Sequence, residues 1–404
     1  MKKIILRPLL YAALLLIVTI SCKVEELNKP NVTNTNPPGV VSNVTVVNKY
    51  GKALLTYTLP SNQDLSYVKA VYETTPGVVL EVKASYYTNQ MELGGYADTL
   101  PHNVKLYAVN NSEICSAPVS VTVNPLSPAY KMAFKTLTVK PAFGGYTVRC
   151  DNPTLENLSI ITMVDTAGNG KYIQTIGMDN IYSNAAKIVS VTRSQPAVPR
   201  KYGFLIRDRW LNQTDTMFQT LTPVFEKLIS KSAPSWTNYV LTGDTPPKSG
   251  SNTNVSYIYN GNYNNGWSNI YFGDESASAP TSITLNLGVQ HTLSRFQINP
   301  YKEIGNAYYV RGNVKNFEIW GSNAPNMSGA FDNTWTLMTT CTVVKPSGGP
   351  LGTETAADAA AGLAGWQFDF PEGLGPFQYI RIRNLSNWQG SYFMSIAQFT
   401  LWGQ

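Results

Sequence analysis

The sequence predicts an all-β protein made of several sandwich domains. Apolar and polar residues alternate with a period of two in short runs, as in TSITLNL, where Ile283, Leu285 and Leu287 share one face. Such runs recur between turns rich in Gly, Pro and Asn, and no long amphipathic helical pattern separates them. The chain has 404 residues, enough for two or three domains of ordinary size.

The N-terminus has the features of a secretory lipoprotein signal. A basic start is followed by an apolar run at residues 9–20 and then by Ser21 and Cys22. The run is too short to span a bilayer comfortably. We predict a signal peptide at 1–22 with Cys22 lipidated, and a flexible stalk at 23–37. The alternative is an ordinary signal peptide with a chance cysteine.

The residues after Cys22, Lys23-Val24-Glu25-Glu26, resemble the surface-export signal of Bacteroidetes lipoproteins. This resemblance implies a lipid-anchored protein of the outer membrane that faces the cell exterior.

Two modules of similar length follow. Strand-like runs in residues 38–125 resemble a fibronectin type III (immunoglobulin-like) sandwich, and residues 126–231 repeat the pattern. Residues 104–125 align with 202–223 without gaps, which indicates duplication of one unit. We expect both modules to be spacers that carry no ligand, because their loops are poorer in aromatic residues than those that follow.

The last module, residues 232–404, contains six segments in a recognisable order. They are Asn260-Gly261 with Trp267, and residues 283–288, 293–298, 317–323, 379–383 and 396–403. This order resembles the discoidin family (coagulation factor V/VIII type C), which includes carbohydrate-binding module family 32. The resemblance implies a galactose-binding-like jelly-roll sandwich, in which Gly288 is expected to break the first strand pattern.

The order of all three modules resembles Bacteroidetes surface lipoproteins encoded beside polysaccharide importers. It implies a poly- or oligosaccharide ligand and outer-membrane importer proteins as partners.

Nothing in the sequence predicts catalysis. Only two histidines are present, and no nucleophile or phosphate-binding motif occurs. The acidic residues that could form a catalytic pair lie in different modules or in turns: Asp208, Asp215, Asp274, Glu275 and Glu303. Cys115, Cys150 and Cys341 lack metal-ligand spacing and are predicted to be buried thiols. The net charge of +6 comes without a clustered basic run, so nucleic acid is not an expected partner. The segment Arg207-Asp208-Arg209-Trp210 has two interpretations. It could be a binding patch, but we favour a strand-end ion pair beneath a Trp that fixes a turn.

The resemblance to the discoidin family implies that three loops of the last module gather at one end of the sandwich, at residues 260–269, 299–313 and 384–392. Aromatic rings can cover the apolar face of a sugar, while amides and guanidinium groups bond its hydroxyls. The candidate stacking residues are Trp388, Tyr309, Tyr308, Tyr301 and Tyr263, with Arg311 and Asn387 for the hydroxyls. Alternatively, each ring plugs the sandwich end. The resemblance implies this for Trp267, because the family Trp at that place usually lies in the core. Trp320, Trp366 and Trp402, on or beside strands, are expected in the core as well.

Proteins of the discoidin family often hold calcium near the Asp-Gly turn. Here the turn offers only the neutral oxygens of Asn260, Asn262 and Asn264, a weaker set for a hard cation. We therefore expect no cofactor, with calcium as the weaker alternative.

The leading hypothesis is a non-catalytic glycan-binding lipoprotein that captures poly- or oligosaccharide for an importer. One alternative is an adhesin that binds a host or neighbouring-cell protein, which a large apolar patch would favour. Another is an accessory subunit of a glycoside hydrolase.

We predict that Cys22→Ala prevents lipidation, because the thiol is the acylation site. The variant should remain uncleaved or soluble, whereas the wild-type protein should fractionate with the outer membrane and be removed by external protease. A Cys22→Ala protein that behaves like the wild type in both assays would contradict the prediction.

Overall fold

The computed structural model describes residues 34–174, 180–229, 231, 236–262, 266–303 and 307–404. The predicted signal peptide, including Cys22, lies outside these ranges. The all-β prediction is confirmed: strands of the described residues pair into sheets in every domain, and the two α-helices among these residues have seven and nine residues. No helix in the described ranges is long and apolar enough to cross a membrane.

The first domain is a sandwich of a three-stranded sheet, β1-β2-β5, on a four-stranded sheet, β4-β3-β6-β7. Its strands are β1 (Ser42–Lys49), β2 (Lys52–Thr58), β3 (Leu65–Thr75), β4 (Val78–Ser85), β5 (Gln90–Gly94), β6 (His102–Asn110) and β7 (Val119–Val123). The alternating burial of β2 supplies Leu55 to a core shared with Val68 and Leu106.

The end of the predicted flexible stalk is bound to this first domain. The Asn34 side chain donates to Asp64 Oδ2 at 2.7 Å, and its backbone N–H donates to Ser112 Oγ at 3.0 Å. Asn110 Nδ2 donates to the carbonyl oxygens of Asn34 and Asn36. Residues 34–36 therefore belong to the folded domain, which corrects the predicted extent of the stalk.

The second domain repeats the sandwich, with a short helix at its start. Sheet β13-β9-β8 faces sheet β11-β10-β14-β15, and β12 also pairs with β10. The elements are α1 (Ala129–Lys135), β8 (Thr138–Ala142), β9 (Gly145–Asp151), β10 (Leu158–Asp165), β11 (Ile173–Gln174), β12 (Ile181–Ser183), β13 (Lys187–Thr192), β14 (Arg200–Arg207) and β15 (Met217–Leu221). Tyr146, Tyr202 and Phe204 form an aromatic cluster in the core.

The third domain packs a four-stranded sheet, β16-β26-β20-β23, on a five-stranded sheet, β17-β19-β24-β21-β22; β18 and β25 pair separately. The elements are β16 (Lys227–Leu228), β17 (Thr237–Asn238), β18 (Tyr271–Phe272), β19 (Thr281–His291), β20 (Leu293–Asn299), β21 (Val314–Ser322), β22 (Thr336–Thr342), α2 (Ala356–Ala364), β23 (Trp366–Asp369), β24 (Phe377–Asn387), β25 (Ser395–Ile396) and β26 (Gln398–Gly403). β16 precedes residue 232 yet pairs with β26, so the chain joins this sheet before the predicted boundary.

Two local expectations need correction. Gly288 does not end its strand: β19 continues to His291 through a register shift, with Gly288 at φ +83°. Cys150 and Cys341 are buried, and burial raises the pKa of both thiols to about 11. Cys115, which the sequence also predicts to be a buried thiol, is only half-buried.

The segment around Trp210 joins the first domain to the second. Asp208 Oδ1 accepts from the N–H groups of Trp210 and Asn212, which fixes the turn. The Trp210 ring lies against Gly94 and Gly95, and Asn212 Nδ2 donates to the Gly95 carbonyl at 3.0 Å. The turn is therefore fixed by Asp208 and not by the Trp210 side chain, whose ring is seated against the first domain.

Glu226 joins the second domain to the third. Its side chain is 8% exposed and pairs with Arg193 at 3.1 Å and with Arg295 at 3.2 Å. Ser294 Oγ donates to Glu226 at 2.6 Å, and the Arg295 guanidinium lies 4.1 Å from the centre of the Trp402 ring. Burial raises the pKa of Glu226, but the hydrogen bonds from Arg295 and Ser294 outweigh it and leave the pKa below its ordinary value.

We predict that Gly94→Ala destabilises the junction between the first and second domains. A Cβ at this position would lie 2.4 Å from Trp210 Cζ2, so the indole must move. Overpacking of this kind costs about 1–3 kcal/mol, measurable by chemical denaturation and by a change in Trp fluorescence. Gly375→Ala is the matched control, because a Cβ there meets nothing within 4 Å. Equal stability of the two variants would show that the Trp210 contact does not join the domains.

Candidate functional site

Of the three loops predicted to gather, the second and third lie side by side. The backbone N–H of Trp388 donates to the Asn313 carbonyl at 3.1 Å, and the backbone N–H of Gln389 donates to the Arg311 carbonyl at 3.2 Å. These bonds bring Trp388 and Arg311 to the same end of the sandwich.

A row of three aromatic rings runs from this surface into the core. Half-buried Trp388 meets Tyr309 edge-on, with ring centres 5.1 Å apart and planes at 88°. Tyr309 in turn lies 5.4 Å from Trp366, whose Nε1 donates to the Tyr309 hydroxyl at 3.3 Å. Lys315 places its ammonium 4.8 Å from the centre of the Trp388 ring. Trp388 is thus a ring held in a fixed position with a cation over it.

Three predicted ligand contacts are structural instead. Tyr309 is 1% exposed and Tyr308 is 7% exposed, so neither ring can stack on a sugar. Tyr308 is covered by α2, where a Cβ on Gly362 would lie 2.4 Å from the Tyr308 ring. Asn387 is also buried: its amide donates to Ser391 Oγ and the Phe393 carbonyl, and its oxygen accepts from two backbone N–H groups. All three side chains hold the loops in place.

Tyr301 is half-buried against a small cluster formed by Ile270, Phe272 and Phe393. Tyr263 and Asn264 lie outside the described residues, as does the side chain of Trp267. Among the residues expected in the core, Trp366 is buried, whereas Trp320 and Trp402 are half-buried at the surface.

Arg311 neutralises carboxylates as well as reaching the surface. Its guanidinium lies 3.3 Å from Glu303 Oε2 and also pairs with Glu275. The Glu303 side chain is 1% exposed, and burial raises the pKa of Glu303 although the Arg311 charge opposes the shift. Arg311 keeps 29% of its side chain exposed, so part of its donor fork remains available to a ligand.

Two buried amides that sequence reasoning missed organise the loops. Asn313 Nδ2 donates to the carbonyls of Tyr301 and Tyr308, while its Oδ1 accepts from the Tyr301 N–H. Gln398 binds the turn of the first loop. Neither position stands out in the sequence, because an Asn or Gln next to a strand is common whether or not it is buried.

The turn predicted to offer calcium ligands is occupied by the side chain of Gln398. Its Nε2 lies 2.7 Å from the Tyr257 carbonyl, 2.9 Å from Asn260 Oδ1 and 3.0 Å from the Asn262 carbonyl. Gln398 Oε1 accepts from the Lys231 ammonium at 3.3 Å, and burial lowers the pKa of Lys231 to about 8. Neutral oxygens that already accept hydrogen bonds, with an ammonium nearby, do not fit a calcium ion.

Three family models match the chain. Each is described as a domain of unknown function: DUF4959 matches residues 38–125, DUF5126 matches 126–232 and DUF5000 matches 259–403. No curated protein matches the chain.

Several solved structures are similar to parts of the chain. The SusE-like protein BT2857 is 26% identical, with 69% of this chain and 99% of that chain covered and a TM-score of 0.44. The family 32 carbohydrate-binding module of C. perfringens NanJ, solved in complex with galactose, is 19% identical, with 44% and 98% covered and a TM-score of 0.30. A two-domain fibronectin type III segment of chicken tenascin is 10% identical, with 46% and 99% covered and a TM-score of 0.22.

We predict that neither calcium nor EDTA changes the melting temperature of the whole protein, because Gln398 and Lys231 already satisfy the turn. Gln398→Glu should lower the melting temperature in EDTA, since a carboxylate oxygen would then face three other oxygens, and calcium should restore it. A calcium-dependent rise for the wild-type protein would contradict this assignment.

Proposed function

We propose that this chain is a non-catalytic carbohydrate-binding protein of the cell surface. It captures poly- or oligosaccharide for an outer-membrane importer and is anchored by lipid on Cys22. The observation that carries the proposal is the position of Trp388 at the end of the sandwich: its loop is joined to residues 299–313, its ring meets Tyr309 edge-on, and the Lys315 ammonium lies over the ring. A fixed ring with a charged donor nearby suits a ligand with an apolar face and a hydroxyl edge.

The same geometry argues against glycoside hydrolysis at these loops. Glu275 and Glu303 both approach Arg311, but a glycosidase needs two carboxylates that reach the scissile bond from opposite sides of a cleft. Glu303 is almost completely buried and committed to Arg311 and Ser395. Within the described residues, no group of three or more His, Cys, Asp or Glu side chains could hold a metal ion.

The Trp388 site is shallow, because its ring is half-buried and its neighbours Tyr308 and Tyr309 belong to the core. A single sugar end on such a surface should bind weakly, on the order of 0.1–1 mM. Many anchored copies on one cell would strengthen capture of a repeating polymer by raising the effective concentration.

We predict that Trp388→Ala weakens sugar binding by about 1–3 kcal/mol through lost apolar contact. Titration calorimetry with a glycan identified by array screening of the full chain measures this loss. Trp388→Phe should retain part of the affinity, because a smaller ring can still pack on Tyr309.

The matched control is Tyr87→Ala, which removes an aromatic ring that is 83% exposed in the first domain. Melting curves accompany each titration. Arg311→Ala should lower the melting temperature, because it leaves buried Glu303 without its charge partner, so it is a poor probe of binding alone. Full affinity in both Trp388 variants would place the sugar elsewhere.

A further inference from the structure

A cleft of about 200 Å³ lies between the second and third domains, apart from the Trp388 loops. One wall is the outer face of β9 and β13. The other is the end of β23 with the turn that follows it, residues 369–372. This volume equals that of about seven water molecules, on the order of one sugar ring. Clefts between domains are frequent ligand sites.

The wall on the second domain carries apolar side chains that its own core does not use. Val189 is 56% exposed and Val191 is 38% exposed. Ile188, which precedes Val189 on the same strand, points inward and is buried. Because successive strand residues face opposite sides, the two valines form a continuous apolar strip along β13. Buried Phe370 closes the cleft on the opposite wall.

The two walls carry opposite charges. Arg149 and Arg193 belong to the second domain, whereas Asp369 and Glu372 belong to the third. Arg193 Nη2 meets Asp369 Oδ1 at 2.6 Å and closes one end of the cleft. Arg149 and Glu372 are both exposed, and among the described residues neither forms an ion pair. The rest of the cleft therefore separates a basic wall from an acidic one.

The chemistry of these walls disfavours simple ions and is compatible with a sugar. A simple cation would face the arginines and a simple anion would face the carboxylates, so each meets repulsion from one side. A sugar hydroxyl accepts from a guanidinium and donates to a carboxylate at the same time. The C–H face of the same sugar matches the valine strip.

We infer that this cleft is a second saccharide subsite, which takes one neutral sugar unit between Arg149 and Glu372. The inference rests on the proposed function only for the class of ligand, since its residues are separate from the Trp388 loops. It also gives the second domain a binding role beyond that of the spacer expected from sequence.

The test uses the full chain and neutral oligosaccharides of glucose, galactose, mannose and xylose in both anomeric linkages. Hydrogen exchange should show protection at residues 187–193 and 369–372 with at least one of these probes. Arg149→Ala and Glu372→Gln should each weaken binding of that probe about tenfold or more, because each removes a hydrogen bond to a charged group.

Lys187→Ala is the matched control, because Lys187 is an exposed cation on the same strand but does not line the cleft. Trp388→Ala is measured in parallel. If Trp388→Ala abolishes binding while Arg149→Ala and Glu372→Gln leave affinity and protection unchanged, the cleft subsite is overturned and the proposed function stands. The reverse result supports the cleft and removes the Trp388 site. Absence of protection in the cleft with every probe also overturns the inference.

Discussion

The ion pairs of Glu226 are the constraint on which the arrangement of the second and third domains depends. A carboxylate in the connecting segment is removed from water and would be costly to bury alone. Arg193 from one domain and Arg295 from the other both satisfy it, so neither domain can turn away without breaking a buried pair. Arg193 extends the same network to Asp369, and the cleft between the domains exists only in this arrangement.

Buried amide side chains hold the loops of the third domain in place, as Glu226 holds the second and third domains together. Asn313 ties residues 301 and 308 to one another, Asn387 closes the turn beneath Trp388, and Gln398 fixes the turn at residues 257–262. Each donates to backbone carbonyls that have no strand partner. Satisfied polar networks of this kind give loops a single conformation, which a site for weakly bound ligands requires.

Much of the fold could be predicted from the sequence, because alternation and turn residues report directly on strands. The adjacency of two loops could be predicted as well. Which rings face solvent could not, because a loop rich in Tyr, Asn and Gly has the same composition whether it binds a ligand or plugs a sandwich. Tyr309 is buried because Trp366 and Trp388, far along the chain, pack against its ring. Similarly, the partners of Glu303 and the two walls of the cleft come from parts of the chain that only folding brings together.

The contact of Trp210 with Gly94 has a consequence for the way such proteins can diversify. The three domains match three separate family models, which suggests units that could be exchanged between chains. The indole, however, fills space that exists only because residue 94 has no side chain. A first domain with a larger residue there would have to displace the indole of this second domain. Recombination at this boundary therefore favours pairs in which a glycine already faces the tryptophan.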